Sequence, residues 1–160
     1  MIRPAHPGDA EILRTLVHDA YEPWVPRLGR LAGPMKDDYA RRIAANQVWV
    51  LEQDGEIVGL VVLEEQPGHL LLENVAVVPM EQGKGYGRML IAFAEQEAAR
   101  RGLPELQLCT NVRMVENIAL YAHLGFVEIG RISGEGFERI CLTNAVQGDA
   151  QARERLKSTS

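Results

Sequence analysis

Several function classes are missing from this chain before any motif is read. No apolar run approaches the ~20 residues of a membrane span, and Met1-Ile2-Arg3-Pro4 is too short and polar for a signal sequence. A cytoplasmic location with no membrane partner is the expectation. Basic charge is not in excess either: the formal net charge is -5, so the chain lacks the cations that would neutralise a phosphate backbone, and nucleic acid is not an expected partner. The four histidines (His6, His18, His69, His123) are scattered without metal-ligand spacing. There are two cysteines, Cys109 and Cys141, and no CxxC. Both sit in apolar strand-like runs, which predicts two buried thiols rather than a disulfide or a zinc site.

What remains is 160 residues of ordinary globular composition, 46% hydrophobic and 24% charged, enough for one full core. Residues 1–145 read as one domain. The polar stretch 146–160 has no apolar stripe and reads as a tail without an assigned role.

Along the chain, Ile2 to Ala5 is a short extended start. Ile12, Leu13, Leu16, Val17 and Ala20 then follow helical spacing. Pro23, Pro26, Gly29, Gly33 and Pro34 break the next stretch into a loop or broken helix, and a second helix is expected over about 35–46. Val48 to Glu52 and Ile57 to Leu63 are strands joined by Asp54-Gly55, a tight-turn pair. His69 to Val78 is a nearly continuous apolar strand, interrupted only by Glu73 and Asn74. Helices are expected over 85–101 and 114–124, and strands over 105–110, 126–131 and 137–143. Hairpins mixed with strand-helix-strand crossovers predict a mixed α/β fold with helices on both faces.

One segment carries anion-binding chemistry. After the strand and Pro79 come Gln82-Gly83-Lys84-Gly85-Tyr86-Gly87-Arg88 and then a helix. Alternating glycines let several backbone amides approach one anion, and the helix N-terminus adds partial positive charge. Two other phosphate motifs fail on spacing. A P-loop needs Ser or Thr after its lysine, and here Gly85 follows Lys84. A dinucleotide fingerprint would need glycine at Arg88.

Gln82-Gly83-Lys84-Gly85-Tyr86-Gly87 resembles the Q/R-x-x-G-x-G/A signature of the GNAT superfamily of acyl-CoA-dependent N-acetyltransferases. Leu72-Glu73-Asn74-Val75-Ala76-Val77-Val78-Pro79 resembles the strand preceding it in that family. Asn117 to Phe126 resembles the family's later helix motif, here N-x-x-x-Y-x-x-x-G-F. Order and element type agree with the family from Ile2 to Leu142.

The resemblance implies a twisted, mostly antiparallel sheet of about seven strands, splayed in the middle, with about four helices. It implies acetyl-CoA as co-substrate and no metal. Its pyrophosphate would lie on the amides of Gly83, Lys84, Gly85, Tyr86, Gly87 and Arg88. Pantetheine would pair with backbone at Ala76, Val77 and Val78, and Gln82, Asn117 and Tyr121 would lie on the cofactor side. An amine of a small molecule or peptide would attack the thioester directly. The alternative is a non-catalytic acyl-CoA sensor on the same fold.

For two residues the sequence adds its own argument. Asn117 and Tyr121 are four apart on a helix and share a face, so both could face the cleft. On spacing alone Tyr121 reads as a core aromatic, and it is the resemblance that makes it a candidate acid for the departing sulfur. Glu73 in an apolar strand should have a raised pKa and suit a general base. It equally suits a cleft or an arginine partner with no chemical role. Tyr21, Trp24 and Arg27, with Arg30 and Met35, are candidates for the acceptor side because their loop is irregular and aromatic. Open sheet edges make a homodimer an expectation.

Overall fold

The computed structural model describes residues 1–146, so the expected tail lies outside the described residues apart from Val146. Seven strands form one sheet: β1 (Ile2–Pro4), β2 (Val48–Gln53), β3 (Glu56–Gln66), β4 (His69–Val77), β5 (Glu105–Asn111), β6 (Val127–Gly134) and β7 (Phe137–Ala145). Their order is β1-β2-β3-β4-β5-β7-β6, and every neighbouring pair is antiparallel except β4–β5. Among the described residues, four helices of six or more residues cover it: α1 (Ala10–Tyr21), α3 (Tyr39–Ala44), α4 (Tyr86–Arg100) and α5 (Val115–His123). A single turn, α2 (Val25–Leu28), lies in the proline-rich segment. No described helix is long and apolar enough to cross a membrane.

Local chemistry accounts for most of these elements. Asp54 and Gly55 both have positive φ (52° and 79°), which turns β2 into β3 with the strands' own twist. On α1, Leu13, Leu16, Val17 and Ala20 are buried at helical spacing, while Ile12, counted in the same apolar set, faces solvent at 53% exposure. α3 begins later than expected because Gly33–Lys36 forms a 3-10 turn and Asp37 is extended. Asp38 then caps the helix, its Oδ1 accepting the Arg41 amide at 3.1 Å.

Two cores fill the two faces of the sheet. Leu90, Ile91, Ala94 and Ala98 of α4 pack with Leu70, Leu72, Leu106, Leu108 and Tyr121. On the other face, Leu13, Leu16, Val17, Tyr39 and Ile43 pack on Val50, Leu60, Val62 and Ala76.

β4 serves both cores because its register slips. Val62 stands opposite Asn74 but Leu63 opposite Leu72, so Glu73 is an extra residue, a β-bulge. Leu70 and Leu72 therefore face the α4 core, whereas Asn74 and Ala76 face α1 and α3.

The cysteine expectation is corrected. Cys109 on β5 and Cys141 on β7 are directly opposed, with Cα atoms 4.1 Å apart, and form a disulfide; both are half-buried. Each run correctly reads as a strand. The register that opposes the two sulfurs is set by topology, which local patterning does not carry.

Candidate functional site

The sheet opens where β4 meets β5. These parallel strands pair only at Leu70–Leu106 and Leu71–Gln107, so β4 leaves an unpaired edge from the Glu73 bulge to Val77. A cleft of about 1050 Å³ fills the gap and runs from the Gly-rich turn at one end to Arg42 and Glu73 at the other.

At the first end, Gly83 and Gly85 have φ of +84° and +87°, and Gly85 immediately precedes α4. A Cβ placed on Gly83, Gly85 or Gly87 would meet no atom within 4 Å, so this backbone borders open space. The first helix amide to find a carbonyl is Met89 N, bound to Gly85 O at 3.1 Å. The amides of residues 83–88 have no acceptor among the described residues. That is a cradle for an anion, and it fits a pyrophosphate. Gln82, Gly83, Gly85, Tyr86, Gly87 and Arg88 line the cleft. Lys84 instead turns to Glu81, with Nζ 2.7 Å from its Oε2. The Gln82 side chain donates to Val77 O at 3.1 Å, which braces the turn against the free edge of β4.

Midway along, Ala76 and Val77 border the cleft from β4, with Asn117 and Tyr121 opposite on α5. Val78 continues the strand, its amide bonded to Val58 O at 2.9 Å, but does not line the cleft. Tyr121 is 7% exposed and packs edge-on to Phe126 at 5.6 Å. Its hydroxyl has no hydrogen-bond partner among the described residues. Burial pushes its pKa up to about 12, so the phenol keeps its proton across the neutral range.

At the far end, the bulge aims Glu73 toward Arg42 of α3, 3.9 Å away. Arg42 also binds Asp37 at 3.0 Å and Glu64 at 3.3 Å, so three carboxylates share one guanidinium. Burial raises the pKa of Glu73; Arg42 opposes this, while hydrogen bonding and repulsion from Glu64, then Asp37, reinforce it. Asp37, Glu64 and Arg42 gave no signal in the sequence, because only the bulge and the late start of α3 bring them to Glu73.

The acceptor-side candidates separate. Tyr21 and Trp24 line the cleft. Arg27 lies on a shallow neighbouring pocket with Pro23, Trp24 and Gln82. Its guanidinium is held by Glu116 at 2.7 Å and sits over the Trp24 ring. Arg30 reaches Glu135 O at 2.9 Å, and Met35 packs in the core, so neither lines the cleft.

The chain is 34% identical over 85 residues to the uncharacterized N-acetyltransferase YjgM of Escherichia coli, spanning about half the length of each chain. It is 25% identical over 128 residues to the uncharacterized N-acetyltransferase YvbK of Bacillus subtilis, covering 79% of this chain and 82% of that one. The PaiA N-acetyltransferase of Thermoplasma acidophilum, solved with coenzyme A, superposes with a TM-score of 0.74 at 16% identity. That match covers 88% of this chain and 96% of the other and shows a shared fold. The family model matches residues 10–126, from α1 through the Gly-rich turn to Phe126 just past α5, and on that match the chain belongs to the acetyltransferase (GNAT) family.

Proposed function

We propose that the chain transfers an acetyl group from acetyl-CoA to the primary amine of a small molecule or peptide by direct attack in a ternary complex. The observation that carries this reading is the continuous cleft that joins the anion cradle, the Tyr121 hydroxyl and the half-buried Glu73 carboxylate. The amides of residues 83–88 would hold the pyrophosphate, with Arg88 beside them, and the free edge of β4 at Ala76 and Val77 would pair with pantetheine, the Val78 amide being already bonded to Val58 O. Gln82 would keep the turn in place, and Asn117 would border the same arm.

In the reaction, the amine nitrogen forms its bond to the thioester carbonyl carbon, and the C–S electron pair leaves on sulfur. Glu73 takes the amine proton directly or through water, and the three-carboxylate cluster around Arg42 favours the approach of a cation. Tyr121, with a pKa of about 12 against ~8.5 for a thiol, stabilises the leaving thiolate by hydrogen bonding more than by full proton transfer. No step requires a metal. Tyr21 and Trp24 would wall the acceptor, with Arg27 at its margin. The outer strand β6 exposes Val127 and Ile129, and its open edge would suit a second copy.

The test is release of free CoA from acetyl-CoA with a panel of amines: phenethylamine, lysine, an aminoglycoside and a peptide with a free N-terminal alanine. Amine-dependent release with an acetylated product supports the reading. Tight acetyl-CoA binding with no release for any amine would leave a binding module in its place.

A further inference from the structure

The polar interruption in β4 has a second member. Asn74 is 3% exposed and ties together both ends of the irregular segment between α1 and α3. Its Nδ2 donates to the Tyr39 hydroxyl at 3.2 Å, and its Oδ1 accepts from the Tyr21 hydroxyl at 2.7 Å. Tyr39 in turn donates to Pro34 O at 2.6 Å.

The direction of each bond follows from the last of these. A carbonyl only accepts, so the single Tyr39 hydroxyl proton points at Pro34, and the Tyr39 oxygen must accept from Asn74. That fixes the amide with its NH₂ toward Tyr39 and its oxygen toward Tyr21. The Tyr21 proton is therefore committed to Asn74. The nearby Val75 carbonyl, 3.5 Å away, also only accepts and supplies no second hydrogen. Tyr21 lines the same cleft as Tyr121. Burial, then Tyr121 and Tyr39, raise its pKa, so it is a neutral oxygen and not a base.

We propose that Tyr21 presents the cleft with an oxygen that only accepts hydrogen bonds, that this oxygen takes one N–H of the attacking amine, and that Asn74 is the positioning residue that keeps it so. This rests on the transferase reading above and adds a selectivity to it. A primary amine has two N–H bonds. One proton leaves to Glu73 or water as the C–N bond forms and the C–S bond breaks, and the other stays on nitrogen in the amide product and keeps its contact with Tyr21. A secondary amine loses its only N–H during transfer and forfeits that contact. The site should therefore favour primary amines beyond what the extra methyl costs sterically.

The experiment compares kcat/KM for the fastest primary amine of the panel and for its N-methyl derivative, phenethylamine and N-methylphenethylamine serving where no other is faster. It uses the full chain, Tyr21→Phe, Asn74→Leu and the double variant, with acetyl-CoA affinity measured by calorimetry alongside. Tyr21→Phe should lower kcat/KM for the primary amine about ten-fold and for the N-methyl amine much less, so the preference shrinks while acetyl-CoA affinity holds. Asn74→Leu frees the Tyr21 proton to turn into the cleft and should shrink the same preference. The double variant should lose no more than the worse single one, because the two residues act through one oxygen. An equal loss for both amines, or none for the primary amine, overturns the proposal while leaving the transferase reading standing. Intact acetyl-CoA binding with no turnover of any amine overturns both.

Discussion

Replacing Gly87 with alanine separates stability from binding, because the structure gives the two effects opposite signs. Gly87 is the second residue of α4, its φ is not positive, and a Cβ there would meet nothing within 4 Å. In the free protein the change removes glycine's entropic cost in a helix, about 0.5–1 kcal/mol, or a melting temperature raised by roughly 1–4 °C for a domain of this size. The same methyl group would project into the space where the pyrophosphate must approach the backbone. Loss of one charge-assisted hydrogen bond is worth about 1.5–3 kcal/mol, so the acetyl-CoA Kd should rise at least ~10-fold. Gly85→Ala is the matched control. With φ at +87° it should lower the melting temperature, by about 1–2 kcal/mol of left-handed strain, while weakening binding in the same direction. Thermal melts of the free proteins and calorimetric titration with acetyl-CoA read both quantities. A Gly87→Ala protein that is more stable yet binds acetyl-CoA with unchanged affinity would refute the cradle.

Acetyl-CoA at a hundred times its Kd should stabilise the fold by ~2.7 kcal/mol, visible as a higher melting temperature that ATP and NAD do not reproduce. Tyr121→Phe should melt like the parent, since the hydroxyl has no partner among the described residues, yet lose about ten-fold in kcat; unchanged turnover would return Tyr121 to packing. Glu73→Gln should cut turnover by ~10² or more and remove the acidic limb of the rate profile, which in the parent rises as pH climbs through a carboxylate pKa above the ordinary value. The sign for stability is opposite. A raised folded-state pKa means that ionised Glu73 costs stability above that pKa, so the glutamine variant should be no less stable at neutral pH and should lose this advantage in acid. A destabilised Glu73→Gln protein at pH 7 would show that the Arg42 contact dominates instead.

The Gly-rich turn, the helix after it and the Asn117–Tyr121 face were legible because each depends on residues within two turns of one another. Glu73 was legible as a polar residue in an apolar strand, but its surroundings were not. Its aim depends on the slip between Val62 and Leu63 against β4, and its partner Arg42 lies on a helix whose start moved when Asp37 stayed extended and Asp38 took the cap. The disulfide was misread for a related reason. Cys109 and Cys141 are 32 residues apart, and only the β5–β7 register makes them opposite. Arg27 looked like a cleft residue from its loop, whereas its ion pair with Glu116 holds it at the margin. In each case the missing information was the relative placement of two distant elements.

Direct transfer in a ternary complex is tested most simply by initial rates over a grid of acetyl-CoA and amine concentrations, with the product identified by mass spectrometry. Reciprocal plots that intersect, with one acetyl group on the amine and none on the protein, are the predicted result. Parallel lines with an acetylated protein would mean a covalent intermediate, and would contradict the mechanism drawn from this cleft.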